Sequence, residues 1–345
     1  RPRDWSSDVC SSDLSVEVAR VADAARYEAL VPYARWTSWG KDEHHHSARC
    51  FDNLTWAAGI AASTTHACIM STVQVMTTHP VLAAKAMATI DHVSAGRFAL
   101  NIVVGNAVEN AMFGAPDVRH EDYYAYAEEW IGIIKRLWTD PAEFDHAGKY
   151  LALKAAMSQP KPLQRPHPPL MNAARSAQGQ AFVARHCDLA FVRENDRASL
   201  ESQIETYRAQ ARAVDGREIQ IWCNCFVMQA GSRAEAEQYL SRVFDEYGDT
   251  DYLDTFIARL NPAVDQLPSP QREAMRRNLM RAVGGQQLIG TAPEIAEAML
   301  RLNAAGIDGI LLNWIDPLDG IARFNAEVLP ILEREGARAG PSRTR

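Results

Sequence analysis

The stretch ATIDHVSAGRFALNIVVG, residues 88–105, decides the fold. An amphipathic helix carrying Ala83, Met87 and Ile90 runs into the turn Ser94-Ala95-Gly96-Arg97. A wholly apolar strand over 98–104 follows at once and stops at Gly105. An uncharged strand of that kind suits a parallel sheet covered on both faces. One polar side chain, Asn101, interrupts it. Buried amides need partners, so Asn101 is either pinned to a neighbouring strand or offered to a ligand.

Outward from this run, helix and strand patterns alternate. Helices are expected over 16–26 with Ser15 as cap, 51–63, 80–93, 121–138, 176–185, 198–213, 232–247, 291–304 and 318–333. Strands are expected at 28–35, 67–73, 98–104, 170–173, 188–192, 219–229 and 309–314. Residues 142–153 read as a hairpin, and the Pro-rich 160–169 as an extended connector that cannot be helical. The long helix 121–138 carries a stripe of Tyr123, Ala127, Trp130, Ile134 and Leu137. Ser232 and Thr291 each stand three residues before a Glu, the spacing of a capping box. Residues 248–290 are polar, read as mostly helical, and form an insertion. Strands nearly all followed by helices predict a parallel α/β fold. Their number fits a (β/α)8 TIM barrel short of its first strand, with a doubly wound sheet as the alternative. No G-x-G-x-x-G follows a strand, and neither a P-loop nor an H-E-x-x-H is present.

Composition narrows the function classes. A chain of 345 residues with 47% hydrophobic content suits one large or two ordinary domains. No apolar run approaches the ~20 residues that span a bilayer. A net charge of −7 without a dense Lys/Arg stripe argues against a nucleic-acid partner. Six cysteines are ordinary cytosolic usage, so a cytoplasmic protein is expected. Cys223 and Cys225 share one strand face, where packing thiols are favoured over a metal pair. Residues 1–14, with the near-repeat SSDVC and SSDL, read as a foreign segment joined to a single domain over 15–345. No apolar core follows the basic start, so this is not a secretory signal.

Several dispersed segments, in order along 15–335, resemble the bacterial-luciferase-like, flavin-dependent monooxygenases. They are ALVPYARWTSWG at 29–40, the run 88–105, ENAMFG at 109–114, HEDYYAYAEEW at 120–130, and PKPLQRPHPP followed by LMNAARSAQGQAFVARHCDLAFV over 160–192. They resemble most the branch that holds dimethylsulfone monooxygenase and pyrimidine oxygenase. The resemblance implies a TIM barrel that binds reduced FMN and oxidises a small organosulfur or nitrogen-containing substrate with O2. It also implies a separate NAD(P)H:flavin reductase and a homodimer. Hydride transfer with deazaflavin F420 on the same fold, or flavin binding without turnover by a truncated fragment, are the alternatives.

On that resemblance, Ala34 and Arg35 match a flavin-contacting pair, Asn101 a flavin-contacting Asn and Glu109 a flavin-contacting Glu. Tyr124 falls on the Tyr of an Arg-Tyr pair whose Arg is Tyr123 here. Ser176 opens a helix, and free N–H groups there with Arg175 alongside suit the FMN phosphate. Each has a plainer reading as a strand-end cap, an interior hydrogen bond, a loop carboxylate, a core aromatic or an ordinary N-cap. This chain has Gly105-Asn106 where the family has Gly-Trp-Asn, and Ala174-Arg175-Ser176 where relatives have Gly-Gly-Ser. Weak acid–base candidates are His44, His45 and, with them, His46 in a loop on the catalytic side, and His79 beyond the strand at 67–73. Asn313, Trp314 and Asp316 end the last strand and are candidates for the substrate pocket. No metal site is expected.

Overall fold

The computed structural model describes residues 12–37, 49–193, 196–260, 264–282 and 285–338. The chain runs α1 (Ser12–Ala24), β1 (Ala29–Leu30), α2 (Asn53–Ser63), β2 (Cys68–Gln74), α3 (Pro80–Val93), β3 (Phe98–Val103), α4 (Ala107–Met112) and α5 (Tyr123–Thr139). It continues with the hairpin β4 (Phe144–Ala147) and β5 (Ala152–Ala156), then β6 (Leu170–Asn172), α6 (Ala177–His186), β7 (Leu189–Val192), α7 (Arg197–Ala213) and β8 (Gln220–Gln229). It closes with α8 (Arg233–Tyr247), α9 (Thr250–Leu260), α10 (Ser269–Ala282), β9 (Gln286–Gly290), α11 (Ala292–Ala304), β10 (Gly309–Asn313), α12 (Pro317–Glu327) and α13 (Leu329–Arg334).

The main sheet is parallel throughout, in the order β1-β2-β3-β6-β7-β8-β10, with β9 also paired to β8. Helices cover its outer face, as the alternation predicts. Cys225 and Phe226 register against both β9 and β10, so those two strands flank β8 on opposite sides. The curl is open. Among the described residues no strand joins β10 to β1, as expected of a barrel short of one strand. Val31 on one side and Gly309 and Leu311 on the other line a cavity of about 800 Å³ between the two edges. The first and last helices back this gap, where the Tyr27 hydroxyl donates to Asn325 Oδ1 at 2.9 Å.

Three expectations change. The strand expected at 28–35 forms ladder pairing only at Ala29 and Leu30, against β2. Residues 248–290 are not helical to their end. QQLIG forms β9, which its pairing with β8 makes a strand despite two glutamines. Ser15 lies inside α1, which already includes Ser12, Asp13 and Leu14, so it is not the cap.

Period-2 alternation divides each strand between two layers. Ile69, Phe98, Leu100, Ile102, Leu170 and Ala190 face the helices in the main core. Met70, Ala99, Met171 and Leu189 face inward and pack with Phe191 and Trp222 across the barrel. This apolar layer plugs the lower interior, so polar chemistry is confined to the strands' C-terminal ends. Cys223 and Cys225 are both buried in the outer core. Contact with Cys223 and burial push the Cys225 thiol well up, so it is an inert packing group.

The turn in the opening run is built as the sequence suggests. Ala95 and Gly96 take positive φ, and Gly96 N–H donates to Asp91 O at 2.8 Å. Arg97 then donates to Ala67 O at 2.6 Å and Thr64 O at 2.9 Å, locking the end of α2 to the start of β3. Outside the barrel, Glu129 of α5 holds the β4–β5 hairpin. It accepts from Tyr150 N at 3.0 Å and Leu151 N at 2.8 Å and meets His146 Nε2 at 3.0 Å. Burial alone would raise the Glu129 pKa, but these bonds outweigh it and hold the carboxyl below its ordinary value. A depressed carboxyl stabilises the fold above its unfolded pKa, and that contribution is lost as pH falls. Glu129→Gln should therefore lower stability by about 1–3 kcal/mol at neutral pH. The difference from wild type should shrink in denaturation curves taken through acid pH.

Candidate active site

The polar groups gather where the sequence places the end of β3. Asn101 lies on the inward face, in register with Thr72 of β2. Its Nδ2 donates to Thr72 Oγ1 at 3.0 Å, while its buried Oδ1 has no partner among the described residues. One end of the amide is pinned to a strand and the other is left to accept.

Beyond β3 the chain turns at Gly105, with φ +92°. A Cβ there would lie 2.6 Å from Asn110 Oδ1 and 3.5 Å from Gln74 Oε1. Both oxygens are themselves buried and have no partner among the described residues. Asn106 caps α4 by accepting from Glu109 N at 3.0 Å. This places the Glu109 carboxylate, 2% exposed, at the junction of three segments. It accepts from Trp36 N at 2.8 Å, from Asn106 Nδ2 at 2.7 Å and from Gln74 Nε2. These donors are neutral, so this is a carboxylate solvated by fixed dipoles.

Ala34 and Arg35 line a small cavity beside Glu109, together with Thr72 and Gln74. Arg35, 8% exposed, donates to the hydroxyls of Tyr33 and Tyr252, the latter at 2.6 Å. Trp36 and Phe113 meet edge to face at 4.8 Å and are both substantially exposed on this rim.

A second group forms after β6. Ser176 caps α6, its Oγ accepting from Gly179 N at 3.2 Å. A Cβ on Gly179 would come within 2.6 Å of the Tyr124 hydroxyl and 2.5 Å of Ala174 Cβ. Glycine is required there for Tyr124 to lie against the first turn of α6. Burial, with Cys187 adding to it, pushes the Tyr124 phenol up to about 12, so it stays a neutral donor. Arg193, directly after β7, is exposed and near enough to Arg175 for their like charges to repel. Two guanidiniums near a helix N-terminus suit an anion there.

The expected residues therefore fall into two groups. Ala34, Arg35, Asn101 and Glu109 share one end, and Tyr124 and Ser176 the other. Tyr123 points elsewhere on α5, where its hydroxyl accepts from Asn110 Nδ2 at 3.2 Å. His79 caps α3, accepting from Val81 N at 3.3 Å, and is exposed. His44, His45 and His46 lie outside the described residues. At the last strand Asp316 caps α12, Asn313 donates to Cys225 O at 3.0 Å, and Trp314 packs edge to face on Phe324. Asp316 and Asn313 thus have capping and strand-pairing roles, while Trp314 also lines the cavity between the two sheet edges. Gln74, Asn110, Arg193 and Tyr252 belong to the site and were missed. A polar residue just past an apolar strand, as Gln74 and Arg193 are, was the available signal. Among the described residues no cluster of three or more His, Cys, Asp or Glu could hold a metal, and no helix is long and apolar enough to cross a membrane.

A parallel barrel with its polar groups at the strand C-terminal ends meets its match in the family described as luciferase-like monooxygenase, whose model covers residues 12–309. This chain belongs to that family. It is 28% identical over 327 residues to an FMNH2-dependent dimethylsulfone monooxygenase of Pseudomonas putida, spanning 93% of this chain and 88% of that one. It is 26% identical to pyrimidine monooxygenase RutA of a Bradyrhizobium species, over 84% of this chain and 82% of the relative. The crystal structure of long-chain alkane monooxygenase (LadA) superposes with a TM-score of 0.83 at 22% identity, covering 94% of this chain and 85% of that one.

The Gly105 corner is testable without any ligand. Gly105→Ala forces a positive φ on an L side chain and drives its Cβ into Asn110. Chemical denaturation should show a loss of about 1–3 kcal/mol.

Proposed function

We propose that this chain binds reduced FMN at the C-terminal end of its barrel and uses O2 to oxidise a small organosulfur or nitrogen-containing molecule. The observation that carries this is the set of buried amide oxygens of Asn101, Gln74 and Asn110 that have no partner among the described residues, with Arg35 lining the same small cavity as Gln74. A buried acceptor without a donor is costly, and N–H groups of a reduced flavin ring are donors of the kind these oxygens lack. The cradle after β6 fits the other end of the same molecule, because Ser176, Tyr124 and the α6 N-terminus all offer donors to a phosphate.

Bound reduced FMN would supply the two electrons that activate O2, one oxygen atom entering the substrate and the other leaving as water. The protein's part is binding and shielding. Asn101 accepts from the ring, and Thr72 fixes the orientation of its amide. Glu109 holds the backbone of Trp36 and the side chain of Gln74, so the ring end is rigid before the cofactor arrives. Ala34 and Arg35 border the ring, with the Arg35 cation countering charge on the reduced flavin. Tyr123 supports Asn110, and Tyr124 and Ser176 hold the phosphate. The apolar rim of Trp36 and Phe113 keeps water from the reacting centre and suits an uncharged substrate.

Two dimethylsulfone monooxygenases among the relatives are named as FMNH2-dependent, which supports FMN over F420. A separate flavin reductase as electron source, a homodimer and a cytoplasmic setting belong to the same proposal. The free thiols Cys68, Cys187, Cys223 and Cys225 are compatible with a reducing compartment.

Oxygen uptake with FMN, a flavin reductase and NADH should rise on adding dimethylsulfone or a pyrimidine, with oxidised product formed. Absence of reduced-FMN binding, or tighter binding of reduced F420, would overturn the proposal. Ser176→Ala should weaken reduced FMN by roughly tenfold, as loss of a bond to a charged group implies, and leave riboflavin binding nearly unchanged. Equal losses for the two ligands would place the phosphate elsewhere.

A further inference from the structure

Residues 248–290 carry no chemistry legible in the sequence, yet one side chain from them reaches the proposed cofactor site. Tyr252 lies on α9, 217 positions from Arg35, and its hydroxyl accepts from Arg35 Nη1 at 2.6 Å. Tyr33 takes the other terminal nitrogen, Nη2. The guanidinium is thus held between two phenols while its side chain is almost fully buried.

The helices around Tyr252 form a small unit of their own. Leu253, Ile257 and Val264 make a separate apolar cluster, with Leu267, Met275 and Leu279 packed on it. Arg276 of α10 fixes the two helices together through Asp254, with Nε to Oδ1 at 2.5 Å. Tyr252 also stacks on Phe256, ring centroids 6.5 Å apart, which orients its phenol from within the unit.

We infer that Tyr252 is a positioning residue for the cofactor. Its hydroxyl fixes the Arg35 guanidinium, and the same bond ties the α9–α10 helical unit to the mouth of the barrel. A phenol is a neutral acceptor, so it orients the cation without cancelling its charge. An arginine with unfixed torsions would lose side-chain freedom on meeting the flavin, and one already held loses less. The inference rests on the assignment of Arg35 to the reduced flavin.

Tyr252→Phe removes only the hydroxyl and keeps the ring that packs on Phe256. It should leave the thermal midpoint unchanged. Anaerobic titration should show reduced FMN bound about tenfold more weakly, the size expected for a lost bond to a charged group. The variant pair Arg35→Gln and Arg35→Gln/Tyr252→Phe should bind equally, as a role exerted through Arg35 requires. Trypsin should cut the arginines of 248–290 faster in Tyr252→Phe than in wild type, with no further rise in the double variant.

If wild type binds no reduced FMN, the cofactor assignment fails and the positioning role falls with it. If wild type binds and Tyr252→Phe binds equally well, only the positioning inference is overturned, and faster proteolysis in that case marks Tyr252 as a purely structural tie. Additive losses in the double variant would likewise contradict action through Arg35.

Discussion

The parallel register of β2 against β3 is the constraint on which the site depends. It sets Thr72 opposite Asn101 and Met70 opposite Ala99. A slip of one residue would exchange the inner and outer faces. Asn101 would then enter the helix-packed core, where Leu100 and Ile102 now sit, and an apolar side chain would take its place inside the barrel. The lock at the other end of β3 holds this register, because Arg97 is bonded to the carbonyls that end α2. A turn and an arginine at the far end of the strand thus fix which atoms face the barrel interior.

Glu109 does for the loops what the register does for the strands. Parallel strands end in separate connections, and nothing in the ladder holds those connections together. A carboxylate with four lone-pair sites can gather several donors at once. Here it gathers the backbone after Arg35, the amide of Gln74 and its own helix cap, Asn106. The expectation that Glu109 touches the flavin is thereby joined by a second role, bracing the segment that carries Arg35. Gly105 supplies the corner that lets Asn110 and Gln74 close in, and Asn106 caps α4.

Much of this was legible along the chain, for identifiable reasons. Residues 88–105 and the stripe on α5 announce themselves because burial on both faces, or on one helical face, dictates an unmistakable pattern. All five residues of that stripe are buried. Asn101 stands out as a polar residue in an apolar strand. β9 was not legible, since QQLIG has only Leu288 well buried from its side chains and owes its extended form to β8. The shortness of β1 was equally hidden, because ladder pairing depends on neighbours and not on EALVPYAR itself. Tyr252 was beyond reach for a further reason. Its partner is set by how a separately packed helical unit lies on the barrel, and no periodicity records that.

The central claim is that one molecule of reduced FMN spans both polar groups, its ring at Asn101 and its phosphate at Ser176. A crystal structure of the full chain with FMN, the cofactor reduced in the crystal, tests it most directly. The account places the ring within hydrogen-bond distance of Asn101 Oδ1, beside Arg35, and the phosphate on the first turn of α6 against Ser176 and Tyr124. A flavin seated in the cavity between β1 and β10, or with its phosphate away from α6, would contradict it.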